Sequence, residues 1–93
     1  MSKANEITDQ FNIHAIAHRV SREGMDNFRL SVKRMADRRN FDISHYFREH
    51  RHDTITIEMQ IDLPRSMPLK VRDKTLDALR KIARRVERQY PGV

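Results

Sequence analysis

Residues 54–63, Thr-Ile-Thr-Ile-Glu-Met-Gln-Ile-Asp-Leu, decide the fold. Ile55, Ile57, Met59, Ile61 and Leu63 alternate there with Thr54, Thr56, Glu58, Gln60 and Asp62. Five matches to a period of two describe a strand with one apolar and one polar face, the pattern of an antiparallel sheet covered on one side. Pro64 stops it by removing a backbone donor.

The segment that follows supplies the cover. From Leu69 to Tyr90 the residues Leu76, Leu79, Ile82, Ala83, Val86 and Tyr90 fall within one arc of about 120° at helical spacing. Ser66 is the expected N-cap, Pro68 fits the first turn, and Pro91 with Gly92 ends the helix. Val71 at the edge of the arc and Arg72 inside it predict a first turn that splays away or lets Arg72 snorkel. With so short a connection, the helix is expected to fold back across the apolar face of the 54–63 strand.

Working backwards, the periodicity is less decisive. Phe11, Ile13, Ala15 and Ala17 alternate with Asn12, His14, Ile16 and His18, and Phe28, Leu30 and Val32 alternate with Arg29, Ser31 and Lys33. Both are read as strands, joined through Ser21–Asn27 with Gly24 giving turn freedom. A helix competes, because Met25, Phe28, Val32 and Met35 also follow an i, i+3, i+7, i+10 series. Residues 36–52 read as a connection with one or two helical turns, capped by Asp42 or Ser44, and residues 1–6 as a loose tail. The expected fold is α+β: a small antiparallel sheet of about three strands packed by a long C-terminal amphipathic helix. Without an internal repeat, low-complexity tract or linker, one domain over 1–93 is expected. Three strands followed by a closing helix is an order similar to that of double-stranded RNA-binding domains; the lysine cluster that enters their last helix is absent here, and no family is assigned.

Charge narrows the partner class. Residues 1–52 hold ten Lys and Arg against seven Asp and Glu, residues 53–64 none against three, and residues 65–93 nine against three. The formal net charge of +6 thus equals that of the C-terminal segment. A clustered cationic surface concentrates and steers polyanions, so nucleic acid or an acidic protein surface is the expected partner. Arginine outnumbers lysine fourteen to five. Planar guanidinium groups pair bidentately with phosphate or carboxylate, whereas solubilising faces are often lysine-rich. The competing explanation is a solvated helix face, interrupted by Asp73, Asp77 and Glu87 and self-paired, for example Asp77 with Lys81.

Several classes are excluded or disfavoured. With no cysteine, disulfides, zinc–thiolate sites and cysteine nucleophiles are impossible. A chain of this size buries about two-thirds of the surface exposed when unfolded, which disfavours a deep catalytic cleft. The uncharged run Phe11–His18 is far short of the ~20 residues of a membrane span, and no apolar stretch follows the first charges as in a signal peptide. A cytoplasmic protein is therefore expected. Gly24 and Gly92 are the only glycines, so no phosphate-binding loop can form, and no nucleophile elbow or zincin helix is present. His14 and His18 lie some 13 Å apart on a strand, too far to chelate one ion. His45, His50 and His52 are closer in sequence, and His50 with His52 could converge on one side of an extended segment, but no spaced acidic motif completes a site of three or four supported ligands. No metal, cofactor or catalytic residue is assigned.

The candidate binding residues are Arg38, Arg39, Arg48, Arg51, Arg80, Lys81, Arg84, Arg85 and Arg88. The first four stand among Phe41, Tyr46 and Phe47, a mixture in which cations neutralise phosphate and rings stack on unpaired bases, unless Phe41, Ile43 and Phe47 are buried and merely position the arginines. The expected function is a small non-enzymatic module that engages RNA or a ribonucleoprotein. The rival expectation is a phage- or mobile-element-encoded inhibitor, anti-CRISPR-like, that occupies a host nucleic-acid-processing complex through its protein or guide-RNA surface. A small basic ribonuclease or toxin, using His45, Glu49 and His50 for acid–base chemistry, ranks third. A homodimer through the uncovered sheet face is compatible with each.

Overall fold

The computed structural model describes residues 7–49 and 54–92, the side chains of 44–49 excepted. The chain runs β1 (Thr8–Val20), α1 (Arg22–Arg39), β2 (Asp42–Glu49), β3 (Ile55–Pro64) and α2 (Leu69–Gln89). The three strands form one antiparallel sheet in the order β1-β3-β2, so the alternating strand read first from the sequence is the central one. Its apolar side chains Ile55, Ile57, Met59, Ile61 and Leu63 are all buried beneath the helices.

Both helices lie on that one face. Within the layer α2 covers the β1 side and α1 the β2 side, and the two run antiparallel in contact. Leu79, Ala83 and Val86 of the predicted apolar arc are buried, with Leu76, Ile82 and Tyr90 packed at its margins. Each buried Leu- or Ile-sized side chain removes enough apolar surface from water to contribute roughly 1.5–3 kcal/mol. Pro68, with extended backbone and no side-chain capping bond, occupies the N-cap of α2; Ser66 does not cap it. Leu69 and Val71 are exposed, as a splayed first turn requires. Arg72 turns inward with a side chain only 12% exposed, donating to the carbonyls of Met67 and Pro64 and pairing with Asp9 at 2.9 Å.

Residues 28–35 are helical, which corrects the strand reading. Phe28, Val32, Met35 and Ala36 are buried on one stripe of α1, while Leu30, third in the apparent alternation, is 51% exposed. Phe28 and Val32 satisfy both periods; capping resolves the ambiguity. The Ser21 side chain accepts the Gly24 N–H at 3.1 Å, so Ser21–Asn27 is a capped helix start and not a turn between strands. Gly24 is required for proximity: an added Cβ would stand 2.7 Å from the Tyr90 Cβ. Asn40 closes α1 in the left-handed region, with φ of 59°, where Asn is tolerated better than most residues.

The connection expected over 36–52 is likewise corrected. Its first part completes α1, and residues 42–49 form β2, paired with β3 from Asp42–Asp62 to Glu49–Ile55 without a break. α1 therefore sits between the first and second strands, and the order differs from that of double-stranded RNA-binding domains. β1, expected over 11–20, starts at Thr8 and is irregular, with register shifts between Ile13 and Ala17 and between Ala17 and Val20. Ala15 and Arg19 hold positive φ at these bulges, 51° and 52°. After α2 the chain returns to β1: Val20 bridges Pro91 and the Gly92 N–H donates to the Arg19 carbonyl.

Candidate functional site

The cations predicted to bind a partner divide into free and engaged groups. Arg38 on α1 and Arg80, Lys81, Arg84 and Arg88 on α2 are exposed, and among the described residues none of them has a hydrogen bond or ion pair. The self-pairing expected of Asp77 with Lys81 is not formed. Ion pairs join Asp9 to Arg65 and Arg72, and His14 to Glu58.

Arg85, half-buried, and Arg39, exposed, are each hydrogen-bonded to the neighbouring helix. The Arg85 guanidinium donates through one nitrogen to the Asn27 carbonyl oxygen and the Ser31 hydroxyl, both at 2.9 Å, and is half-buried between the helices. Arg39 donates at 3.0 Å to the hydroxyl of buried Thr75, which in turn donates to the Val71 carbonyl. These arginines tie α1 to α2. The side chain of Arg48 and the whole of Arg51 lie outside the described residues, as do the side chains of His45 and Glu49 and all of His50 and His52.

Geometry adds cations that the strand reading concealed. Asn27, Ser31, Arg34 and Arg38 follow i, i+4, i+7, i+11, so Arg34 and Arg38 share the flank of α1 that Arg85 reaches. On α2, Lys70, Lys74, Lys81, Arg84 and Arg88 occupy one outward arc of about 80° and extend over about 27 Å of helix. With Gly24 beside Tyr90 and Arg39 beside Thr75, the helices are antiparallel, and Arg34 comes opposite the middle of α2, where Lys81 projects. The result is a cationic surface centred on the seam between the helices. Glu23, Asp26, Asp37, Asp73 and Asp77 are exposed on the same helices and lower its net charge without neutralising it. A helical reading of 27–38 would have found Arg34.

The aromatic component is reduced. Phe41 is 2% exposed and anchors the turn from α1 into β2, the buried alternative considered for it. Tyr46 and Phe47 have no described side chains, and among the described residues the helix layer carries no exposed ring. Between α1 and β2 lies a groove of about 510 Å³ lined by Leu30, Phe41 and Ile43, with charges of both signs around it.

Hydrogen bonds from Arg65 and then Arg72 hold the Asp9 carboxyl below its ordinary range. Among the described residues no group of three or more His, Asp or Glu converges to hold a metal ion, and no helix is long and apolar enough to cross a membrane. Comparison of the chain with protein-family models, curated proteins and solved structures finds no match.

Proposed function

We propose that this protein is a non-enzymatic binding module that engages RNA, free or within a ribonucleoprotein, through the outer surface of its two helices. The supporting observation is that Arg34, Arg38, Lys74, Lys81, Arg84 and Arg88 stand exposed on adjacent helices without a partner among the described residues. An array of cations left unpaired by the fold is free to displace counterions from a polyanion. With no ring exposed in the described helix layer, recognition goes through the phosphate backbone rather than through stacking on unpaired bases, which favours duplex RNA and low sequence specificity.

Binding to a fluorescent RNA duplex across a salt series tests this reading. Five or six neutralised phosphates predict a slope of log K on log salt of roughly −4 to −5. The pair Lys81→Glu and Arg88→Glu should abolish binding while leaving the fold intact. Failure to shift duplex or single-stranded RNA at low salt rejects the proposal. In that event a protein partner takes precedence, as in the inhibitor reading, for which the groove at Leu30, Phe41 and Ile43 offers an apolar seat beside the cations.

A further inference from the structure

A second cleft, between the bulged part of β1 and the C-terminal half of α2, is lined by Ile13, His14, Ile16, His18, Arg80, Arg84 and Glu87 and has a volume of about 390 Å³. We infer that it binds a phosphate monoester. Three features converge there. First, Arg80 and Arg84, four residues apart on one helix face, both line it, and neither has a partner among the described residues. Two guanidinium forks at that spacing suit a compact multivalent anion better than a single carboxylate.

The second feature is backbone strain. Three β1 residues, His14 to Ile16, are accommodated opposite the single β3 residue between Met59 and Ile57. Ala15 within this bulge has φ of 51° and Arg19 beyond it 52°, although neither is glycine. A left-handed backbone is unfavourable for an L-residue, and bulges of this kind re-aim side chains next to binding sites. His14 and His18, on either side of this bulge, both line the cleft.

The third feature is how the acids are held. Glu87, the one carboxylate lining the cleft, accepts the His18 backbone N–H at 2.7 Å and is thereby fixed at one end. On the other side, Glu58 of β3 lies 3.3 Å from the His14 Nδ1, which orients that ring from across the sheet. Arg80 and Arg84 thus outnumber the lining acid, and each imidazole adds positive charge when protonated.

The experiment uses the whole chain and follows the His14 and His18 ring signals by NMR while inorganic phosphate replaces chloride at constant ionic strength and constant pH. Saturable shifts of both rings are expected, and the double variant Arg80→Gln, Arg84→Gln should weaken the apparent affinity about tenfold or more. Equal shifts with chloride, or undiminished phosphate affinity in that variant, overturn the inference. A short single-stranded oligonucleotide with a 5′-phosphate should compete with inorganic phosphate better than its 5′-hydroxyl counterpart; equal competition assigns binding to the backbone and rejects the monoester. The outcome is separable from the RNA proposal, since Arg34, Arg38, Lys70 and Lys74 lie outside the cleft: either can fail alone.

Discussion

Arg84 and Arg85 are adjacent, identical in chemistry and opposite in expected role, so replacing each with Ala separates binding from stability. Arg85→Ala removes two hydrogen bonds from a charged donor, to Asn27 and Ser31. Bonds to charged groups contribute roughly 1.5–3 kcal/mol each when fully buried; at this half-buried site water recovers part of that, leaving a cost of about 2 kcal/mol for the pair. Unfolding entropy of about 2.1 cal/mol/K per residue gives ~0.2 kcal/mol/K for a chain of this length, so Tm should fall by about 10 °C. Arg84→Ala removes an exposed group with no partner and should change stability by less than about 0.5 kcal/mol, or ~2 °C. In RNA binding the order reverses: Arg84→Ala should lower the salt slope by about one unit, while Arg85→Ala, measured well below its Tm, should leave the slope unchanged. Calorimetry and anisotropy titrations read both. Equal losses of Tm in the two variants, or a reduced slope without destabilisation in Arg85→Ala, would refute the division.

Three further outcomes follow from the packing. Because the Asp9 carboxyl titrates below its ordinary value, its contribution is fully present above the unfolded value near 3.9 and is lost as pH falls through the folded one; Asp9→Asn should flatten the decline of the urea midpoint between about pH 4 and pH 2. Gly24→Ala should destabilise despite a gain in helix propensity of about 1 kcal/mol, since overpacking against the Tyr90 Cβ costs ~1–3 kcal/mol, and thermal melting should show a net loss of about 5 °C. Ala15→Gly should shift Tm by no more than about 3 °C, as relief at positive φ offsets the added freedom of the unfolded chain, whereas Ala17→Gly, at a buried strand position, should cost ~2 kcal/mol.

Legibility varied with how many residues carried one period. The 54–63 strand and the 69–90 helix each offered five or six agreeing positions, and the structure places them at Ile55–Pro64 and Leu69–Gln89. Residues 28–35 were misread because Phe28 and Val32, four apart, satisfy periods of 2 and 3.6 alike; extending the window to Ser21 and Asn40 exposes both helix caps. Residues 42–49 gave no warning, since an edge strand whose hydrogen bonds come from a distant segment need not carry a strong pattern of its own. The proposed binding surface was half legible. Arg38, Arg80, Lys81, Arg84 and Arg88 are exposed as expected, Arg34 was hidden by the wrong period, and Arg39 and Arg85 are engaged within the fold.

Taken alone, the sequence determined the class of fold, the 54–63 strand, the closing helix and the sign of the net charge, because periodicity and composition are local quantities. Only the tertiary structure decided which arginines are free. Whether a guanidinium meets water or an amide and a hydroxyl depends on what a neighbouring helix places 2.9 Å away, and nothing in the run Arg84-Arg85 distinguishes its two members. The cleft at His14, His18, Arg80 and Arg84 has the same origin: it joins residues more than sixty positions apart, across a bulge whose backbone no pattern of side chains announces.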